Sequence, residues 1–291
     1  MKHLMHTLAL CLIGLWGSCQ LLAAQDIRPM ERDWRNDRQK IVIMSYNIKD
    51  GFGWGKKDED RMARQAAWIK AQNPDVLALN ELCGFTESML KDYAARYGHP
   101  YVAIVKEEGY PVGLTSKYPF EVIARKVEGY GHGLLHCRTL GMDFLVTHLN
   151  PHKAEIRNQE ARRIVEYIEE HHLEKCILLG DLNAHSPFDA SWTDRDLGDY
   201  TAISTFMAAS LHDICYLFTP DGQRFSFPTP IGPGTPKGAY LKTIQERIDY
   251  IFVTDALREQ CVDAAIHNGE DTGYLSDHYP ISISMFIPKD K

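Results

Sequence analysis

The chain has no HExxH signature, no CxxC pair and no Cys/His spacing of the kind that builds a zinc site. It also lacks a glycine-rich nucleotide loop and a GxSxG turn, so neither nucleotide-loop nor serine-hydrolase chemistry has a basis in it. A basic excess is missing too: 32 Lys and Arg face 39 Asp and Glu, for a net charge of −7. Non-specific nucleic-acid binders draw affinity from phosphate neutralisation and show the opposite balance. The cysteines beyond residue 24 are Cys83, Cys137, Cys176, Cys215 and Cys261, an odd and widely spaced set. That argues against a full disulfide framework, and their expected role is that of small buried hydrophobes. No internal repeat, low-complexity tract or linker interrupts the chain.

What is present is ordinary for a globular protein: 291 residues, 44% hydrophobic and 24% charged, enough for one sizeable core. At the N-terminus Lys2, His3 and His6 precede an apolar run, Leu8–Trp16, and small residues lead to Leu22-Ala23-Ala24-Gln25. This is the layout of a secretory signal cleaved after Ala24, and the run is too short for a comfortable transmembrane helix. Residues 1–24 are therefore expected to be a signal peptide, and the mature protein to be exported, to a periplasm or out of the cell. An uncleaved interfacial anchor and a lipidated Cys19 after Gly17-Ser18 are the alternatives; Trp16 fits lipidation poorly. Residues 25–40 read as a polar leader and 41–288 as the domain.

Within that domain the apolar pattern predicts strands at 41–46, 76–79, 101–105, 112–115, 122–126, 134–137, 142–147, 176–179, 248–253, 262–266 and 281–286. Helical spacing predicts helices over 58–72, 87–97 and 154–171, with a weakly helical stretch at 206–211. Residues 184–200 and the Gly- and Pro-rich 219–246 are expected to be loops. The mixture of hairpins and helices in both halves fits an α/β domain of two packed sheets with helices outside.

Polar residues recur just beyond the apolar strands, where α/β scaffolds build sites. Asn47 follows the first strand, Glu81 the second, His148 the strand at 142–147, and Asp181 and Asn183 the strand at 176–179; Asp277 and His278 precede the last. Glu81 and Asp277 are hard oxygen ligands suited to Mg²⁺ or Mn²⁺. Asn47 and Asn183 orient carboxylates or bind phosphate oxygens without adding charge. His148 and His278 move protons or, protonated, stabilise a phosphorane-like transition state. Asp249, in Arg247-Ile248-Asp249-Tyr250, is placed to orient a histidine.

The stretches Ser45-Tyr46-Asn47-Ile48, Pro74-Asp75-Val76-Leu77-Ala78-Leu79-Asn80-Glu81, Thr147-His148-Leu149, Gly180-Asp181-Leu182-Asn183, Arg247-Ile248-Asp249-Tyr250-Ile251 and Ser276-Asp277-His278-Tyr279-Pro280-Ile281 occur in this order across residues 41–286. Together they resemble the endonuclease/exonuclease/phosphatase superfamily, which includes DNase I-like nucleases, abasic endonucleases, sphingomyelinases and inositol-polyphosphate phosphatases. The resemblance implies a four-layered α/β/β/α sandwich of two mixed sheets and a Mg²⁺-dependent phosphoesterase, with Mn²⁺ as the alternative ion. It implies that Glu81 binds the metal with Asn47 and Asp277 close by. His278, paired with Asp249, would be the general base or the phosphate-binding histidine. Asp181 would position or activate the attacking water, and Asn183 would hold the phosphate. His148 matches the position where DNase I-like members carry histidine and abasic endonucleases tyrosine, which leans away from the abasic branch. The implied partner is a phosphate ester of nucleic acid, lipid head group or sugar, with no stable protein partner; a non-catalytic adaptor of the same fold is the rival.

Some readings stay open at this stage. His132, in Gly129-Tyr130-Gly131-His132-Gly133, is a candidate substrate contact or an ordinary strand-entry histidine. Arg157 is a candidate phosphate contact or half of a surface ion pair with Glu160, three residues on. Lys49 reads as a phosphate contact or a solvated residue, His152 as a solvated loop residue, and Trp54 as a packing or stacking aromatic. The run Lys56-Lys57-Asp58-Glu59-Asp60-Arg61 reads as a solvated helix start, and Cys83 as buried.

Overall fold

A computed structural model describes residues 37–53, 56–190, 199–231 and 239–289. The expected signal segment, Cys19, residues 25–36 of the expected leader and Trp54 lie outside the described residues. The elements are β1 (Arg38–Asn47), α1 (Glu59–Gln72), β2 (Val76–Asn80), α2 (Glu87–Ala95), β3 (Tyr101–Ile104), β4 (Gly113–Ser116), β5 (Glu121–Lys126), β6 (Leu134–Thr139), β7 (Met142–His148), α3 (Ala154–Glu170), β8 (Cys176–Asp181), α4 (Thr201–Ala208), β9 (Leu211–Asp213), α5 (Ile214–Phe218), α6 (Ala239–Lys242), β10 (Asp249–Thr254), α7 (Asp255–Arg258), β11 (Cys261–Ile266) and β12 (Ile281–Pro288).

Two six-stranded mixed sheets form, in the orders β11-β12-β1-β2-β4-β3 and β5-β6-β7-β8-β10-β9. Strand alternation sorts each strand's residues to two faces. Ile41, Ile43, Val76, Ala78 and Leu114 of the first sheet meet Phe144, Val146, Ile177, Leu179 and Ile251 of the second in one inner core. The opposite faces are covered by helices. Met44, Tyr46, Leu77 and Leu79 pack on Met62, Ala66 and Ile69 of α1 and on Leu90 and Tyr93 of α2. Leu145, Leu178, Tyr250 and Phe252 pack on Ala161 and Ile164 of α3 and Ile203 and Phe206 of α4. This is the α/β/β/α sandwich. Gly180 lies where β8 runs so close to β7 that a Cβ would collide with the Thr147 carbonyl oxygen, and its φ of +144° suits glycine alone.

Local chemistry sets the helix ends. Asp58 accepts a hydrogen bond from the Arg61 N–H at the start of α1, and Asn73, at φ 53°, closes it in the left-handed conformation before Pro74. Thr86 caps α2 in the same way as Asp58 caps α1.

Three expectations are corrected. Residues 38–40, placed in the polar leader, belong to β1, where Arg38 pairs with Pro288 and Lys40 with Phe286; charged side chains on an outer strand end hide pairing from a composition reading. The weak helix expected at 206–211 is α4, centred earlier, and Leu211 already starts β9. Beyond it, α5 falls in a stretch with no expected element, and α6 falls inside the expected loop at 219–246; both are too short to show a period. All the cysteines Cys83, Cys137, Cys176, Cys215 and Cys261 are buried and free, as expected.

One buried histidine sets an acid limit on stability. His99 is fully buried, its Nε2–H donating to the Pro74 carbonyl and its Nδ1 accepting from the Thr115 hydroxyl, each at 2.8 Å. Burial, which disfavours the charged ring, lowers its pKa from 6.5 to about 4. The unfolded ring binds its proton near 6.5 and the folded one only near 4, so the stabilisation is complete above pH 6.5 and is lost as pH falls through that window. The expected loss is about 3 kcal/mol. Urea unfolding of wild type and His99→Gln from pH 7 to 4 checks this; parallel curves for the two proteins would refute it.

Candidate active site

Strand parity carries the inner core to one end of the sandwich and there exchanges apolar for polar side chains. Ile177 and Leu179 are followed on the same face by Asp181, Phe144 and Val146 by His148, and Val76 and Ala78 by Asn80. Ile41 and Ile43 lead in the same way to Asn47, and Ile251 is preceded by Asp249. Register then sets them side by side. His148 pairs with Asp181 across the parallel β7–β8 ladder, and Asp249 pairs with Asp181 across the antiparallel β8–β10 ladder. Asn47 pairs with Asn80 in the other sheet.

Asn47 is the hub. Its Nδ2 donates to Glu81 Oε1 and to Asp181 Oδ2, both at 3.0 Å, and lies 3.4 Å from His278 Nε2; its Oδ1 accepts from the Lys49 N–H. Glu81, just past β2, has a left-handed φ of 61° that turns its carboxylate back to the Asp50 N–H at 2.8 Å. His278 Nδ1 donates to Asp249 Oδ2 at 2.9 Å, and its Nε2 stands 3.6 Å from Asp181 Oδ2. His148 Nε2 is 3.4 Å from the same oxygen. Asn183, also left-handed at φ 47°, gives its N–H to Asp181 Oδ1 and its Nδ2 to the Leu149 carbonyl. The His132 ring stacks on His148 at 4.4 Å, and Tyr110 meets His132 edge-on. Glu81, His132, His148, Asp181, Asn183 and His278, with Arg157, His185, Glu246 and Asp277 among others, line a cavity of about 540 Å³, and Asn47 and Asp249 support its lining from beneath.

The electrostatics of this floor are those of crowded acids. Burial pushes the Asp181 carboxyl well above the carboxylate range; Asp249 and Glu81 reinforce the shift, and His278 opposes it. Burial also raises Glu81, against the hydrogen bonds from Asp50 and Asn47. Burial works against a charged His278, but the carboxylates of Asp249 and Asp181 overcome it and hold the ring protonated. His148 is the opposite case: buried, beside His132 and His278, it is held neutral. Burial likewise lowers His132 to about 4.

A hard dication fits this donor set. The carboxyl groups of Asp181 and Asp249 are buried and that of Glu81 is half-buried around one imidazolium, and the burial and crowding that raise the pKa of Asp181 and of Glu81 are relieved by a cation. Ligand atoms of Glu81, His148 and Asp181 lie within 4.8 Å of one another, as do those of Asp181, Asp249 and His278. Asp277 joins neither group: Lys49 Nζ holds its carboxylate at 3.1 Å. Its place is on the rim of the donor set, and Lys49, open between phosphate contact and solvated loop, is its ion-pair partner.

Several contributors escape a reading by strand ends. Asn80, fully buried, joins the two sheets by donating to the Thr147 carbonyl and accepting from the Asp181 N–H. A polar residue on the inner-face parity of an apolar strand is the signal that could have found it. Arg61, in the run read as a solvated helix start, is buried instead; it donates to the carbonyls of Ile48, Lys49 and Leu275, tying the Asn47 loop to the Asp277 loop. Lys57 of that run binds the carbonyls of Gly51 and Cys83. The surface Arg157–Glu160 pair is also corrected. Both residues are buried, and Glu160 spends its two oxygens on the N–H groups of Gly131 and Asn150. His185, hydrogen-bonded to Glu246 at 2.8 Å, lies on the far wall, joined to a partner distant in sequence that no local pattern reveals.

A two-sheet sandwich whose inner core ends in a cleft of carboxylates, amides and histidines defines a class of metal-assisted hydrolase site. The model of the Endonuclease/Exonuclease/phosphatase family matches residues 44–278, and the chain belongs to that family; it is a phosphoric ester hydrolase. No curated protein matches the chain. Among solved structures, an AP endonuclease from Archaeoglobus fulgidus superposes with a TM-score of 0.66 at 20% identity, over 84% of this chain and 98% of that one. A 3'-5' exonuclease from Neisseria meningitidis gives 0.66 at 18% identity, over 84% and 99%. D. rerio TDP2, complexed with single strand DNA product, gives 0.61 at 19% identity, over 85% and 99%. At these identities the likeness is one of fold.

Proposed function

We propose that this protein is an exported, Mg²⁺-dependent phosphodiesterase that cleaves its substrate by in-line attack of water. The observation that carries the chemistry is the Asp249–His278 pair, whose ring reaches Asp181 in the cavity lining and the Asn47 amide beside it. Asp249 fixes the ring so that Nε2 faces the cleft, and as an imidazolium it donates to a phosphate oxygen and offsets the charge that grows there. Asp181, with a carboxyl that binds protons readily for an acid, takes the proton of the attacking water. The Asn183 N–H and the Asn47 amide hold the Asp181 carboxylate in that orientation, with the neutral His148 Nε2 3.4 Å away. Asn47 spaces Glu81 from Asp181 and turns both toward the cleft. Glu81 is the residue that would hold Mg²⁺, with Asn47 beside it and Asp277 at the rim; the bound ion supplies Lewis-acid polarisation of the phosphate.

Export rests on the leader-like residues 1–24. No helix among the described residues is long and apolar enough to cross a membrane. For the substrate, the solved relatives that are an AP endonuclease, a 3'-5' exonuclease and a complex with single strand DNA product favour a nucleotide-type diester. The net charge of −7 favours short or single strands over long duplex. Protein lacking residues 1–24 is expected to release phosphoester product from such a diester with Mg²⁺, and about 10²-fold less or nothing with EDTA. Duplex DNA, sphingomyelin, an inositol phosphate and an aryl phosphodiester complete the panel. Cleavage that survives EDTA sinks the metal requirement, and metal-dependent cleavage of only the lipid or the inositol phosphate sinks the nucleotide reading.

A further inference from the structure

We propose that Arg157, with the loop corner built around it, binds a second phosphate group of the substrate, distinct from the one that reacts. This rests on the phosphodiesterase reading above and extends it from the reacting centre to the rest of the substrate. The cavity, at about 540 Å³, accommodates a ligand much larger than one phosphate. Its walls are unequal in charge. Asp50, Glu81, Asp181, Glu246 and Asp277 line it, and among the described residues Arg157 is the one Lys or Arg that does. The strand ends of both sheets build the reacting end, whereas Arg157 enters from the first turn of α3, beyond the loop that follows β7.

That corner is built rather than incidental. Arg157 is 8% exposed. Its Nη1 donates to the Asn150 carbonyl at 2.9 Å, which fixes its reach, while its Nε is buried without a partner. Glu160, one turn along α3, takes the Asn150 N–H and the Gly131 N–H at 2.8 Å each, so the same helix holds both loops of the corner. With both Glu160 oxygens occupied by backbone groups, no carboxylate among the described residues forms a salt bridge to the guanidinium. The carboxylates of Asp199, Glu160 and Asp181 act on the guanidinium only from beyond ion-pair distance, and a phosphate at its cavity-facing Nη end supplies the direct anion that a buried cation needs. His132 and His152 flank the opening and supply further polar atoms. The second phosphate comes either from the next link of a single strand or from a terminal phosphate on a small molecule; the chemistry recognised is the same.

The test compares kcat/KM for thymidine 5'-(p-nitrophenyl phosphate) with that for the same ester carrying a 3'-phosphate, in Mg²⁺. A single-stranded thymidine trinucleotide serves as the strand arm. Wild type is expected to favour the substrates with a second phosphate by about 10- to 100-fold. Arg157→Met is expected to erase that preference, and Arg157→Lys, which keeps the charge but not the planar fork, to keep part of it. Dependence on Arg157 in either arm supports the proposal and names the source. No preference in wild type, or an equal loss on all substrates in Arg157→Met, overturns it, the latter by assigning Arg157 to the reacting phosphate. If wild type turns over none of them, the phosphodiesterase reading has failed. Calorimetric binding of thymidine 3',5'-bisphosphate and thymidine 5'-phosphate in Ca²⁺ then decides the subsite alone: tenfold tighter bisphosphate binding that Arg157→Met removes supports it, and equal binding overturns it.

Discussion

Alanine at position 278 is expected to lower turnover by about 10²–10⁴-fold while the protein stays folded. The ring is 4% exposed and is held by one carboxylate, Asp249 at 2.9 Å, with a second, Asp181, at 3.6 Å. Removing it takes away the imidazolium that meets the phosphate and leaves two buried acids without their shared cation. Because Asp249 works through His278, Asp249→Asn alone is expected to cost less than His278→Ala, and the double variant to fall no further than His278→Ala. Steady-state rates for the three variants on one diester, with circular dichroism to confirm folding, give the comparison. Retention of more than about a tenth of wild-type turnover by His278→Ala removes the ring from the chemistry, and additive losses separate Asp249 from it.

Glutamine at position 81 is expected to lower Mg²⁺-dependent turnover by more than about 100-fold. The change keeps the side-chain size and removes one charge from a crowd of acids. Glu81 is half-buried, shares the Asn47 amide with Asp181 and depends on single hydrogen bonds from Asn47 and Asp50. Two consequences separate a metal ligand from a merely structural acid. The rise in Tm that Mg²⁺ gives the wild type, set by RT ln(1 + [Mg²⁺]/Kd), is expected to disappear in Glu81→Gln. The metal-free variant is expected to be at least as stable as metal-free wild type, because the native acids no longer repel across Asn47. An undiminished Mg²⁺ shift in the variant would place the ion elsewhere.

Much of the fold is legible in the amino-acid pattern. Strands such as Ile41–Tyr46 and Ile177–Leu179 follow from short continuous apolar runs, and α1 and α3 from their 3.6-residue period; which face of each strand turns inward does not, because both faces are apolar. Where the pattern misleads, the element is short or its polarity hides it. Arg38–Lys40 look like leader because their strand partners lie near the other end of the chain, and Ile214–Phe218 holds too few residues to show a period. The candidate site is legible as residue types at strand ends. Their arrangement in space is not: that Asp277 pairs with Lys49, and that Glu160 turns its oxygens to the N–H groups of Gly131 and Asn150 and not to Arg157, depends on loops far apart in the chain.

By itself, the sequence determined which polar side chains stand at or beside the ends of apolar strands, because strand pattern and motif are local properties of the chain. Only the tertiary structure decided that His148, Asp181 and Asp249 sit in consecutive register across three strands of one sheet while Asn47 reaches Asp181 from the other. Register depends on which strands pair and how two sheets face, and those are set by the packing of an inner core whose partners lie far apart in the chain.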